Sequence, residues 1–315
     1  MAYKEILDRI KRGGVVLIDG ATGTELERRG AEMNDDAWCG PANITNRNLL
    51  EQVHLDYIRA GAEVVITNTF ATTRLMLEPA GLARRIEEIY QSACEAALQA
   101  REAALREGTI GARSEVLVAG SLSHMIPLTA EGDESSDPYA DLGRAAFSEA
   151  LFEAAGLLQK GGCDLIILEM MYHPERFRLA LEAARSTGLP VWAGFSARRG
   201  AGGTILSYSE VEEIPFERLV EGLPEKGVDA AGLMHTNVDA TGPALEILAR
   251  HFTGPRYAYP DSGYFKMPHW QFEDIIPPAD LAAYAEGWIA EGVGAVGGCC
   301  GLSLEHIEAL APLKR

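Results

Sequence analysis

The sequence has no apolar run approaching the roughly 18 residues that a membrane-crossing helix needs. It is also poor in positive charge: 28 Lys and Arg stand against 46 Asp and Glu, a formal net charge of -18. A surface this acidic repels phosphate backbones and anionic lipid, which argues against general nucleic-acid or membrane binding. Cysteine is scarce and odd in number, at five residues. That argues against a disulfide framework and for free or metal-bound thiols. No G-x-G-x-x-G spacing marks a dinucleotide site. No Pro/Gly/Ser-rich linker divides the chain; the short stretch from Glu131 to Asp137 reads as a loop inside one domain. The opening segment from Met1 to Gly13 reads as a short amphipathic helix with Ile6, Leu7 and Ile10 on one side. Charged residues interrupt it where a secretory signal would be continuously apolar, so a cytoplasmic protein is expected.

What is present is a globular composition, 47% hydrophobic over 315 residues, and a repeated pattern. Short runs rich in Val, Ile and Ala end in polar or Gly clusters, and helical stretches follow. The runs fall at Val15–Asp19, Glu63–Thr69, Glu115–Ser121, Asp164–Glu169, Pro190–Ser196, Ala230–His235, Arg256–Tyr259 and Gly294–Cys299. They lack strict alternation, as strands buried on both faces do. Helices are expected at Asn48–Ala60, Ala83–Glu107, Leu142–Lys160, Pro174–Ser186, Ser209–Leu223, Ala240–His251, Ala279–Ala290 and Leu304–Leu310. Eight βα units in order predict an α/β fold: one (β/α)8 TIM barrel over residues 1–315.

In such a barrel the active site lies at the C-terminal ends of the strands. Asp19, Thr67–Thr69, Ser121, Glu169, Ser196, His235–Asn237, Asp261–Ser262 and Cys299–Cys300 all fall there. The sharpest feature is Gly297-Gly298-Cys299-Cys300-Gly301. Neighbouring residues of a regular strand face opposite ways, so both thiols reach one ion only across a bend, which flanking glycines permit. Zinc favours thiolate and imidazole ligands, and His235 is the third ligand that the barrel offers. Buried structural thiols and a vicinal disulfide are the competing readings of the pair. The turn Asp19-Gly20-Ala21-Thr22-Gly23-Thr24 offers backbone amides to a carboxylate, or is an ordinary tight turn. Glu169 ends an apolar strand and needs a cationic partner, either a substrate ammonium or an arginine. Tyr259, Tyr264, Phe265, Trp270 and Phe272 crowd the segment after the seventh run, as packing or as a face for a cationic donor. Trp38 and Cys39 are assigned to a loop over the mouth. His54, His124, His173, His251, His269 and His306 show no metal spacing and read as surface or core residues.

These segments, with Thr67-Asn68-Thr69-Phe70 and Tyr259-Pro260-Asp261-Ser262-Gly263, resemble the homocysteine S-methyltransferase family in order over nearly the whole chain. The resemblance implies a zinc-bearing barrel in which Zn2+ holds the homocysteine sulfur and the thiolate attacks the donor methyl group. It implies Cys299, Cys300 and His235 as metal ligands. It further implies Asp19, Gly20, Ala21 and Glu169 beside the substrate, with Glu169 on the amino group; Thr69 and Ser121, at the ends of the second and third runs, are assigned to the same substrate site. The small-molecule partners would be a thiol acceptor and a sulfonium, betaine or corrinoid methyl donor, the last carried by a separate protein. One departure stands out: where the family places a third zinc cysteine, this chain has His235 within Gly232-Leu233-Met234-His235-Thr236. Three thiolates with Zn2+ sum to -1; two thiolates and a neutral imidazole sum to zero. That altered charge leaves two alternatives beside methyl transfer: a zinc hydrolase using Glu169 or Asp261 as base, and a non-catalytic thiol- or amino-acid-binding protein.

Overall fold

The computed structural model describes residues 2–127, 139, 142–209, 211–265 and 272–315. The stretch from Glu131 to Asp137, together with His269 and Trp270, lies outside them. Eight parallel strands form one sheet: Val16–Leu17, Val64–Ile66, Leu117–Ser123, Leu165–Met171, Val191–Phe195, Ala230–Asn237, Arg256–Asp261 and Val293–Val296. The first strand pairs with the eighth, and a parallel bridge from Ile18 to Val64 joins it to the second, which closes the circle. The fold is a (β/α)8 barrel. Each strand lies within the predicted run or overruns it by at most a few residues.

Alternate residues of each strand face two different cores. Val16, Ile18, Leu165, Ile167 and Met234 belong to a cluster inside the barrel with Trp192, Tyr257 and Tyr259. Val15, Leu17, Ile166, Leu168 and Leu233 pack outward against the helices. Large interior side chains need small neighbours. A Cβ on Gly194 would meet Met234 Sδ at 2.2 Å, and one on Gly232 would meet the Tyr257 carbonyl oxygen at 2.2 Å. The first helix, Ala2–Lys11, plugs the N-terminal end of the barrel, with Ile6 and Ile10 joining the interior cluster.

The outer helices follow their capping signals. Pro174 opens the helix Pro174–Ser186, where its missing N–H costs nothing. Gly108 ends the helix Ile86–Glu107 in the left-handed conformation, φ 76°. Ser303 caps the last helix, Leu304–Leu310, and its own N–H donates back to His306 Nδ1. Two expectations need correction. The helix expected over Ser209–Leu223 shrinks to Phe216–Val220, because the chain before it folds back on the strand Ile205–Ser207: the Ser207 N–H donates to the Ile214 carbonyl, and Leu206 bridges Pro215. The glycine turn after the first strand becomes the short helix Thr22–Arg28. No described helix is long and apolar enough to cross a membrane.

Candidate active site

A pocket opens at the C-terminal end of the barrel. Its walls include Ala21–Thr24, Trp38, Cys39, Thr67, Asn68, Phe70, Glu169, His235, Tyr259, Cys299 and Cys300. Two local distortions aim the polar groups into it. In the fourth strand the register slips between Leu168 and Met171, and Met170 adopts φ 60°. In the sixth it slips between Met234 and Asn237, and His235 itself adopts φ 46°. Each strand thus carries one extra residue relative to its neighbour, the arrangement of a β-bulge. Alternation places Glu169 inward after Leu165 and Ile167, but would turn His235 outward after Met234. The left-handed residue reverses it. Thr236 braces this kink: its hydroxyl donates to the Met234 carbonyl at 3.0 Å and accepts from the Ala197 N–H at 2.9 Å.

The cysteine segment is pinned from both sides. The Gly298 N–H donates to the Asp19 carbonyl, the Cys299 N–H to the Pro260 carbonyl, and the Ser262 N–H to the Cys300 carbonyl. Gly301, at φ 79°, passes so close to the Ser262 carbonyl that a Cβ would meet it at 2.2 Å. The bend brings both thiols to one side, 3.9 Å apart. With a ring nitrogen of His235 they give three donor atoms within 4.8 Å of one another. Two sulfurs and an imidazole are a donor set that suits zinc and disfavours magnesium or calcium.

The second ring nitrogen matters too. His235 Nε2 lies 2.8 Å from Glu169 Oε1, and the Ser121 hydroxyl donates to Glu169 Oε2 at 2.5 Å. Burial opposes a charge on His235, but hydrogen bonds with Cys300 and Glu169 outweigh it and raise its pKa to about 10. The hydrogen bond from Cys299 pulls the Cys300 thiol down, with His235 adding to it against burial. Burial, then the hydrogen bond with Cys300, pushes Cys299 up. Asp261 is raised to about 7, first by burial and then by Cys300.

The other predicted residues fall into two groups. Ala21 and Glu169 face the pocket. Asp19, Gly20, Thr69 and Ser121 stand behind its wall. Asp19 accepts the Ile66 N–H at 2.8 Å and the Tyr259 hydroxyl at 3.2 Å, which joins strands one, two and seven. Gly20 leaves room for the Tyr57 ring, and Thr69 donates to the Ser121 carbonyl at 2.7 Å. Cys39, assigned to the mouth, donates its thiol to Asn68 at 2.9 Å. One feature escaped sequence reasoning. Phe70 stacks on His235 at 5.1 Å between ring centroids, and Trp38 stacks on Phe70 at 5.3 Å. The advance signals were the assignment of Trp38 to the mouth and the place of Phe70 in the stretch Thr67-Asn68-Thr69-Phe70; neither announces the stacking.

The sequence model of the homocysteine S-methyltransferase family matches residues 16–313. The chain belongs to the homocysteine S-methyltransferase family. Membership makes it an enzyme of the methyltransferase class. Among curated relatives, the homocysteine S-methyltransferase of Escherichia coli K12 is 32% identical over 315 residues, covering 94% of each chain. Homocysteine S-methyltransferase 2 of Zea mays is 28% identical, covering 95% of this chain and 89% of its own. Among solved structures, the metallated form of the E. coli homocysteine methyltransferase MmuM superposes with a TM-score of 0.75. It is 26% identical and covers 99% of both chains.

Proposed function

We propose that the chain is a zinc-dependent S-methyltransferase that moves a methyl group from a sulfonium, betaine or corrinoid donor to homocysteine or a related thiol. The observation that carries this reading is the convergence of His235, Cys299 and Cys300 beside Glu169 in one barrel-mouth pocket. His235, Cys299 and Cys300 would hold the ion. Zinc, when bound, lowers the acceptor thiol pKa and orients its sulfur. The metallated state of the E. coli structural relative supports a metal here.

The chain's own groups divide the remaining work. Glu169, kept in place by Ser121, receives the acceptor's ammonium group, since a carboxylate has lone pairs left after two hydrogen bonds. The amides of Thr22–Thr24 receive its carboxylate, while the Ala21 N–H is held by the Leu302 carbonyl; Asp19 and Gly20 shape that wall from behind and Thr69 secures Ser121. Trp38, Phe70 and Tyr259 line the pocket with aromatic surface, which attracts a cationic sulfonium more than a neutral donor. Residues 1–315 act as one barrel domain, in a reducing cytoplasmic setting that keeps the five free thiols available.

The test is zinc content and methyl transfer in the same preparations, wild type against Cys300→Ala. Purified under reducing conditions, the wild type should carry about one zinc per chain and convert homocysteine to its thioether with a sulfonium donor. The variant should lose both. Full zinc with no thiol methylation by any donor class would defeat the transferase reading and turn attention to hydrolysis. Absence of zinc from the wild type would remove the metal from the scheme.

A further inference from the structure

The three donors form a shape as well as a cluster. Bond lengths near 2.3 Å for Zn–S and 2.0–2.1 Å for Zn–N give a tetrahedron whose S···S edge is about 3.8 Å and whose S···N edges are about 3.6 Å. The two thiols are 3.9 Å apart, and His235 Nδ1 lies 3.6 Å from Cys299 and 3.8 Å from Cys300. Nδ1 therefore completes one tetrahedral face with both sulfurs. Nε2 does not: it stands 3.2 Å from Cys299, short of that edge, and is engaged by Glu169 at 2.8 Å. A ring nitrogen facing a carboxylate carries the proton, which frees the other for a metal.

We propose that Glu169 is a positioning residue for His235: it holds the Nε2–H, leaves Nδ1 to the ion, and supplies the negative charge that a third thiolate would have carried. This rests on the zinc reading above and goes beyond it. Zinc with two thiolates and a neutral imidazole sums to zero. A carboxylate hydrogen-bonded to that imidazole returns the local sum to -1. By accepting the Nε2–H, Glu169 raises the basicity of Nδ1, so an ion held there would be less electron-poor than Cys2His alone would make it. Glu169 thus serves twice, with Oε1 on the ligand and further lone pairs toward the substrate ammonium. Phe70, stacked on the imidazole, fixes the ring plane in which this works.

Two measurements test it. The first is a long-range 1H–15N correlation spectrum of the zinc-loaded, 15N-histidine-labelled chain, with the His235 signals assigned by their loss in His235→Cys. The expected pattern is a protonated Nε2 and a metal-bound Nδ1. Metal on Nε2 would overturn the proposal while leaving the zinc site standing. The second is zinc affinity by chelator competition in four proteins: wild type, Glu169→Ala, His235→Cys and the double variant. Glu169→Ala should weaken zinc by about 10–100-fold when His235 is present, with Glu169→Gln falling between because its amide oxygen still accepts from Nε2–H. In the cysteine background the same change should alter affinity by less than about twofold, the limit of simple additivity. Equal losses in both backgrounds would show that Glu169 does not act through the imidazole. A wild type that binds no zinc would defeat the underlying site instead.

Discussion

The two ends of the barrel are built on opposite principles. At the N-terminal end the helix Ala2–Lys11 closes the interior with Ile6 and Ile10. The polar contacts there are paired within the chain: the Tyr3 hydroxyl donates to Asp229 at 2.8 Å, Trp192 Nε1 donates to Tyr3 at 3.1 Å, and Arg9 bridges to Glu63 at 2.6 Å. At the C-terminal end the backbone is strained and the polar groups converge on a space. Among the described residues the non-glycine positions with positive φ are Trp38, Met170, His235 and Asp274; Met170 and His235 lie near the ends of the fourth and sixth strands, and Trp38 lines the pocket beside them. Each such position costs about 1–3 kcal/mol and persists only where its surroundings enforce it. The contrast shows where stability is invested and where it is surrendered for chemistry.

That division is breakable. The largest expected effect is on metal binding. Cys299→Ala should lower zinc affinity on the order of 10³-fold or more, while changing the stability of the metal-free chain by less than about 1 kcal/mol. Ile10→Ala should do the reverse. Its side chain is buried against Gly294, whose absent Cβ would stand 2.3 Å from Ile10 Cγ2. Truncation should cost about 2–4 kcal/mol, read as a lower denaturant midpoint, with zinc per folded chain unchanged. If Ile10→Ala strips the metal, or Cys299→Ala unfolds the metal-free chain, the two ends are not separable.

The same contrast explains what the sequence could reveal. The scaffold follows period and punctuation. Apolar runs located all eight strands, and Pro174, Gly108 and Ser303 located helix ends, because those signals are local. The site end follows exceptions. The inward turn of His235 opposes its place in the alternation and depends on a positive φ that histidine does not announce. Glu169 was expected to meet an ammonium group or an arginine; its partners in the chain are Ser121 and His235, a pairing set by two bulges on different strands. His306, read as a surface or core residue, completes a capping box with Ser303. The stretch Ser209–Leu223 misled because its first residues turn back onto the preceding strand instead of coiling: the Ser207 N–H donates to the Ile214 carbonyl, and Leu206 bridges Pro215.

A second test probes the scaffold by pH. His54 is fully buried on the helix Arg47–Arg59, and neither ring nitrogen has a hydrogen-bond partner among the described residues. Burial lowers its pKa from 6.5 to about 4. The unfolded chain therefore takes up a proton first as the pH falls. The stabilising contribution is complete above the unfolded value of about 6.5 and is lost progressively toward pH 4. Between pH 7 and pH 5 it should amount to about 2 kcal/mol, at 1.36 kcal/mol per unit. Denaturant midpoints of wild type and His54→Leu at the two pH values should differ in slope by that amount. Parallel slopes would show that the ring is solvated.

The smallest effect expected lies at the plug. Tyr3→Phe removes one hydroxyl that accepts from Trp192 and donates to Asp229. Asp229 is partly exposed and can turn to water, but Trp192 is fully buried, so its N–H loses its acceptor with no replacement. An orphaned buried donor costs about 1–3 kcal/mol, and a single neutral N–H belongs at the lower end of that range. The variant should lose about 1 kcal/mol of stability and keep wild-type zinc affinity and methyl transfer. The two readouts sharpen the comparison because Trp192 also packs on Tyr257, one layer below the pocket. A change in zinc affinity on Tyr3→Phe would mean that the interior transmits strain from the plug to the site, and that the closed end helps to position the open one.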